Sequence, residues 1–268
     1  MTDPHFAAFS FVDRITHFES GKRARAVFAV PPGIDSFPSC LVAEAVGQLA
    51  AWTAMDAIAF RGRPVAALAN ETRFHGAVRP GETLDLAVEI ESCDDEAVAY
   101  AGSAQVDGRL VIELVDCLGP MLPVADFDAP EALAERLALL RGAGAPPGRF
   151  GGVAPAQVEA IAGEPGAALL RVPASAPFFA DHFPRRPVFP ATLMLDALIG
   201  LALTVALPGQ VPARLTHVKV RSFTEPGALL RIEAVPAATD VTRIQLSVRA
   251  GDRTVATARL ETRPEMTA

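Results

Sequence analysis

Residues 180–196 read ADHFPRRPVFPATLMLD, and this stretch decides how the rest of the chain is interpreted. A loop stiffened by three prolines carries His182 and leads into an apolar segment that contains one carboxylate, Asp196. Proline suits the first position of a helix, because the backbone N–H that proline lacks would have no intrahelical acceptor there. The pattern predicts a helix that begins at Pro190, with a histidine in the loop before it.

The first half of the chain repeats this arrangement. Residues 39–46 open a long apolar segment, as residues 191–198 do. Glu44 and Asp196 each stand six residues after a proline. Further along, each half has a Pro-Gly pair that is followed by alternating apolar and polar positions, the pattern of a half-buried strand. Repetition at this scale is typical of one structural unit that is used twice.

The predicted elements of each half are one long helix and several strands. Beyond the alternating segments, further strands are predicted at residues 97–106, 109–117, 242–250 and 254–261. A nearly all-apolar helix, such as the one predicted at Leu41–Phe60, is best buried when an antiparallel sheet curls around it. We therefore expect an α+β chain of two such domains, residues 1–128 and 153–268. A helix and a linker rich in glycine and proline are expected between them, within residues 129–152.

The segment from Phe178 to Asp196 resembles the active-site signature of the 3-hydroxyacyl-[acyl-carrier-protein] dehydratases, in which a histidine precedes an acid at this spacing. The resemblance implies two fused hotdog domains, each an antiparallel sheet wrapped around a long central helix, that form an internal pseudo-dimer. It also implies dehydration of 3-hydroxyacyl-[acyl-carrier-protein] to the trans-2-enoyl form in fatty-acid-like or polyketide-like biosynthesis. The phosphopantetheine of acyl carrier protein would hold the acyl thioester, and no metal or other cofactor is expected.

Elimination of water from such a thioester needs a base, an acid and a group that stabilises the enolate-like oxygen. Histidine suits the first task, a buried carboxyl the second, and the free amides of a helix N-terminus the third. In the family, the histidine of one hotdog faces the acid of the other. Carried onto this chain, that geometry pairs His182 as base with Glu44 as acid. Gln48 would orient the acid, and the backbone amide of Ala191 would receive the thioester oxygen.

The opposite pairing of the halves is incomplete. Val30 stands where the first half would carry its histidine, so Asp196 is expected to be vestigial or structural. Ala191 departs from the family pattern as well, since most members have glycine there. We therefore expect a single working site that contains His182 and Glu44.

Charge and composition narrow the range of partners. A net charge of −7 argues against a nucleic-acid-binding protein, which normally carries a basic surface. Four cations are candidates for contact with the acidic carrier protein and its phosphate, with ordinary surface charges as the alternative: Arg185, Arg186, Lys219 and Arg221.

The three cysteines have no metal-ligand spacing. Because the chain shows neither a secretory signal nor a membrane-spanning apolar run, a cytoplasmic location without a membrane partner is expected.

Two other functions on the same fold stay open. One is a hotdog acyl thioesterase, in which a carboxylate activates water. The other is a non-catalytic acyl-binding or partner subunit, which would fit Ala191 and the missing histidine of the first half. Glu44 favours plain dehydration over the isomerising variant of the reaction, whose enzymes usually carry aspartate there. Acyl chain length, pathway and any homo-oligomer beyond the internal pair are not determined by these residues.

Overall fold

The computed structural model describes residues 8–265 of the 268-residue chain. In the first half, two short strands precede a long helix and five strands follow it. These elements are β1 (Arg14–Glu19), β2 (Arg23–Ala29), α1 (Ser39–Ala57), β3 (Gly62–Pro64), β4 (Leu68–Phe74), β5 (Thr83–Cys93), β6 (Ala97–Val106) and β7 (Arg109–Pro123).

The second half has the same order of elements, without a counterpart of β3. Helix α2 (Pro130–Arg141) lies between the halves. The elements that follow are β8 (Gln157–Ala160), β9 (Ala167–Arg171), α3 (Ala191–Val205), β10 (Gln210–Val220), β11 (Leu229–Ala237), β12 (Asp240–Ala250) and β13 (Arg253–Pro264). Within residues 8–265, no helix is long and apolar enough to cross a membrane.

All strands except β3 follow one continuous antiparallel path, β1-β2-β5-β6-β7-β4-β10-β13-β12-β11-β9-β8. The halves join edge to edge where β4 pairs with β10, with Leu215 opposite Thr72. On either side of that junction the strands occur in matching order. The chain is therefore a double hotdog, as the sequence predicts.

Helices α1 and α3 pack against this sheet and contact each other. Helix α1 packs on β2, β5 and β6 and against α3. Val46 and Leu49 of α1 are fully buried, as are Leu84 of β5 and Leu230 of β11. Each of these two helices packs on the sheet and on the other helix, which explains why the two helical segments are apolar nearly all round. The interface between α1 and α3 places Thr192, in the first turn of α3, in contact with Glu44 of α1.

Several predicted boundaries shift. Helix α1 begins two residues before the predicted Leu41 and ends at Ala57 instead of Phe60. It ends early because Ala59 and Phe60 adopt positive φ angles of 52° and 56°, which a helix does not allow. The prediction that α3 begins at Pro190 is wrong by one residue: Pro190 is the N-cap, with ψ of 129°, and Ala191 is the first helical residue. The domain limits at residues 128 and 152 stay a prediction.

Candidate active site

Backbone contacts fix the loop that carries His182. The His182 amide donates to the carbonyl of Phe178 at 2.9 Å, and the Val188 amide donates to the carbonyl of His182 at 3.0 Å. The imidazole Nδ1 lies 3.0 Å from the carbonyl oxygen of Val188. Because a carbonyl oxygen only accepts, Nδ1 carries the proton of the neutral ring. Nε2 is therefore left with its lone pair, which is the tautomer that a general base requires.

Aromatic rings surround this imidazole. The Phe183 ring stacks on it with centroids 4.2 Å apart, and the Phe9 ring meets it edge-on at 5.5 Å. The peptide bond between His182 and Phe183 is cis. Burial lowers the pKa of His182, and the negative charge of Glu44 acts in the opposite direction. At neutral pH the ring is thus held mainly in its uncharged form.

Glu44 projects from α1 of the other half and is held at both oxygens. The hydroxyl of Thr192, in the first turn of α3, donates to Glu44 Oε2 at 2.9 Å. The side-chain amide of Gln48 donates to Glu44 Oε1 at 3.1 Å and to the carbonyl of Phe9 at 2.9 Å. The Phe11 amide donates in turn to Gln48 Oε1 at 2.9 Å. Gln48 is therefore fixed by the backbone on one side and orients the carboxylate on the other.

His182 and Glu44 line the same cavity, which has a volume of about 230 Å³. Ala191 lines it too, at the start of α3, where the first backbone amides of a helix have no intrahelical acceptor and the helix dipole is positive. The cavity continues along α1 and β6 between apolar side chains that include Trp52 and Val98. An imidazole, a carboxyl group and a helix N-terminus therefore line one largely apolar cavity.

Asp196 lies elsewhere. It is not part of the cavity lining, and burial raises its pKa. The pKa of the Cys40 thiol is raised mainly by burial and further by the negative charge of Asp196. Cys40 stands two residues after Pro38, as Thr192 stands two residues after Pro190. The pair Cys40 and Asp196 is thus the internal counterpart of Thr192 and Glu44, and Val30, only 2% exposed, occupies the counterpart of the histidine position.

Family comparisons agree with this division into two halves. A FabA-like domain matches residues 4–115, and an ApeI-like dehydratase domain matches residues 162–259. A FabZ 3-hydroxyacyl-[acyl-carrier-protein] dehydratase of Bacillus velezensis is 36% identical over 121 residues, which span 41% of this chain and 86% of the relative. The FabZ of Bacillus subtilis is 35% identical over 129 residues, 43% of this chain and 92% of the relative. The chain belongs to the 3-hydroxyacyl-[acyl-carrier-protein] dehydratase family.

Solved structures similar to this dehydratase-family chain include two thioesterases. An acyl-ACP thioesterase from Bacteroides thetaiotaomicron superimposes with a TM-score of 0.57 at 11% identity, covering 91% of this chain and all of the other. The 12:0-ACP thioesterase from Umbellularia californica gives 0.58 at 9% identity, covering 93% of this chain and all of the other. At such low identity these matches show a shared double-hotdog fold.

The four predicted carrier-binding cations of this family member are all exposed, two in the histidine loop and two at the end of β10. The Arg185 guanidinium donates to the Ala125 carbonyl at 3.0 Å, and that of Arg186 lies 4.8 Å from the ring centre of Phe223, which lines the cavity. Lys219 lies near the end of β10, and Arg221 follows that strand and donates to the Thr257 hydroxyl at 3.0 Å. Arg186 is thus the cation most directly tied to the cavity wall.

Three charged residues that line the cavity were not predicted as site residues: Arg63, Asp181 and Arg136, which forms an ion pair with Asp128. Arg63, on β3, lines the cavity with its guanidinium 4.1 Å from the centre of the Phe183 ring, and burial lowers its pKa to about 10. Asp181 also lines the cavity, and burial raises its pKa to about 6. Asp181 precedes the histidine in the quoted stretch and could have been found there. Arg63 lies in a short segment without apolar periodicity, so no sequence pattern indicated a role for it.

Across residues 8–265, no three side chains of histidine, cysteine, aspartate or glutamate are grouped so that they could hold a metal ion. The expectation that no cofactor is needed stays a prediction.

Proposed function

We propose that this chain dehydrates 3-hydroxyacyl-[acyl-carrier-protein] to the trans-2-enoyl form at one composite site. The observation that supports this most is that Glu44 of the first half and His182 of the second line one cavity. Thr192, at the N-terminus of the helix that follows the histidine loop, contacts Glu44 directly. The histidine, the acid and the helix N-terminus are the groups that the family resemblance implies, and in this cavity they come from different halves.

The reaction begins with His182. Nε2 takes the proton from C2 of the substrate, because Nδ1 is already committed to the Val188 carbonyl. The C–H electron pair moves toward the thioester, whose oxygen gains negative charge. The Ala191 amide, with the positive end of the α3 dipole, stabilises that oxygen. A backbone donor makes this step tolerant of alanine in place of the usual glycine.

Glu44 completes the elimination. In the form that acts as the acid, the carboxyl of Glu44 carries a proton. The C3–O bond breaks as Glu44 gives that proton to the departing hydroxyl, so water leaves and the C2–C3 double bond forms. The proton on His182 then passes back to Glu44 to restore both groups. Gln48 and Thr192 hold the two carboxyl oxygens, so that the acid points to the same place in each cycle.

The substrate is proposed to arrive on acyl carrier protein, as the names of the FabZ relatives state for those proteins. Arg185 and Arg186 are the proposed docking cations nearest the cavity, with Lys219 and Arg221 extending the basic surface. The apolar wall along α1 would hold the acyl chain.

The test is mass spectrometry of 3-hydroxyacyl carrier proteins after incubation with the purified chain. We expect the carrier-bound species to lose the mass of one water. His182→Ala and Glu44→Gln should each reduce this conversion at least about 100-fold, the range typical of a lost general acid or base. Asp196→Asn is the matched control, an equivalent carboxyl in the other half, and should retain conversion.

Each remaining outcome has a distinct meaning. If Asp196→Asn abolished conversion while Glu44→Gln retained it, the cross-half assignment would be wrong. Release of free carrier thiol would indicate hydrolysis. An unchanged carrier mass over a panel of chain lengths would indicate a binding subunit.

A further inference from the structure

Arg63 shares an aromatic ring with the proposed base. Its guanidinium carbon lies 4.1 Å from the centre of the Phe183 ring, and the His182 imidazole stacks on the same ring at 4.2 Å. The guanidinium is thus within about 8 Å of the imidazole, which is the largest separation that these two distances allow. Both groups line the cavity.

This cation has no ion pair in the part of the chain that the structure describes, residues 8–265. The carboxylates whose charge reaches it are each bonded to other groups. Glu44 accepts from Thr192 and Gln48. Asp181 accepts from the amide of Phe9, and Asp128 forms a buried ion pair with Arg136 at 2.8 Å. A partly buried charge without a close counter-ion costs free energy, so its position beside the base calls for a functional reason.

We propose that Arg63 is a positioning residue for His182. Its charge disfavours a second positive charge on the imidazole, and its contact with Phe183 fixes the ring on which the imidazole rests. His182 is thereby kept neutral and in place, ready to accept a proton. The use of that neutral base in dehydration rests on the proposed function, whereas the effect on the imidazole itself does not.

The charges around His182 make this effect measurable. Glu44, on α1, favours the protonated imidazole, while Arg63, on β3, favours the neutral one. Asp181, next to it in the loop, has a pKa of about 6 and titrates in the same pH range. Burial is the largest contribution to the lowered pKa of His182, and Arg63 lowers it further. A unit charge at about 8 Å in a medium of effective dielectric about 20 to 60 should change a pKa by about 0.5 to 1.5.

The experiment is an NMR titration of the purified protein with isotope-labelled histidine. The chain has five histidines, and His182→Gln identifies the signal of interest. Arg63→Met removes the charge but keeps an unbranched side chain on Phe183, whereas Arg63→Lys keeps the charge. We expect the pKa of His182 to rise by about 0.5 to 1.5 in Arg63→Met and by less than about 0.3 in Arg63→Lys. The acid limb of the kcat/KM profile should move with it.

Two further variants keep the result interpretable. The same pair of substitutions in a Glu44→Gln background should give the same rise, because the effect does not pass through Glu44. Arg63→Gln is a second neutral variant in case the methionine variant folds poorly. An unchanged pKa in both neutral variants, or equal rises in the neutral and lysine variants, would overturn the proposal.

Failure of this proposal can be distinguished from failure of the proposed function. The titration needs no turnover, so a rise in the His182 pKa without any dehydration supports Arg63 and refutes the proposed reaction. Dehydration with no rise refutes the role of Arg63 alone.

Discussion

Asp181 should make the stability of this protein fall as the pH rises. Its side chain is only 8% exposed, and Oδ2 accepts from the Phe9 amide at 2.7 Å and from the Ser10 hydroxyl at 3.0 Å. Burial raises its pKa to about 6, and these two hydrogen bonds only partly offset that effect. Since Phe9 packs on His182 and accepts from Gln48, this carboxyl ties the N-terminal segment to the site.

The direction of the effect follows from the two pKa values. A carboxyl with a higher pKa in the folded than in the unfolded state binds its proton more tightly when folded. Its stabilising contribution is complete below the ordinary value of 3.8 and is lost as the pH rises through about 6. The total corresponds to roughly 3 kcal/mol, of which about 2 kcal/mol is lost between pH 4.5 and 7.

Asp181→Asn is the matched variant, because the asparagine amide oxygen can accept the same two hydrogen bonds without a charge. Urea unfolding of both proteins gives the free energy of unfolding at pH 4.5, 5.5 and 7. The wild-type value minus the variant value should fall by about 2 kcal/mol over this range, and the other carboxyl groups cancel in that difference. A difference that stayed constant, or that rose with pH, would refute the reasoning.

Two further substitutions test the site and the fold. Thr192→Val removes the hydroxyl that donates to Glu44 and should lower kcat about 10- to 100-fold with little change in KM, because the acid loses one of the two contacts that orient it. Thr192→Ser should keep most of the rate. Gly102→Ala would bring a methyl group within 2.5 Å of Val46 Cγ1 and 2.8 Å of the Ala87 carbonyl oxygen. Gly102→Ala should lower the free energy of unfolding, measured in urea, by about 1 to 3 kcal/mol. The control is Gly108→Ala: this glycine is exposed, has a φ of 76° and has open space around it, so its substitution tests backbone strain without a clash.

The repeated apolar pattern was enough to predict the fold. Leu84, Leu86 and Val88 are buried along one face of β5, as their alternation predicts, and Leu230, Ile232 and Ala234 are buried along β11. These positions follow directly from the period of a strand that has one face in the core. The continuous pairing of β4 with β10 could not be predicted in the same way, because edge pairing depends on two distant segments whose register no local pattern specifies.

A site residue could be predicted only where its type is unusual for its place in the sequence and has a chemical use there. Glu44 stands out because an apolar helix rarely carries a carboxylate, and the structure places it in the same cavity as His182. Arg63 and Thr192 gave no such signal. Arginine in a short turn-like segment is usually a surface charge, and threonine at the start of a helix is common for reasons of capping alone. Their importance arises from contacts across the halves, which sequence spacing does not report.

Comparison of the two halves distinguishes the residues that the fold requires from those that the proposed reaction requires. Both halves keep the apolar helix, the carboxylate and the strand order, so these features alone are compatible with a half that has no histidine at the position equivalent to His182. The halves differ at the three positions that surround each carboxylate. Thr192 contacts Glu44 where Cys40 lies near Asp196, Gln48 follows Glu44 by one turn where Gly200 follows Asp196, and His182 corresponds to Val30. Because the hydroxyl, the amide and the imidazole are all present around Glu44 and all replaced around Asp196, the differences are those expected when one of two duplicated sites is retained and the other is released from chemical constraint.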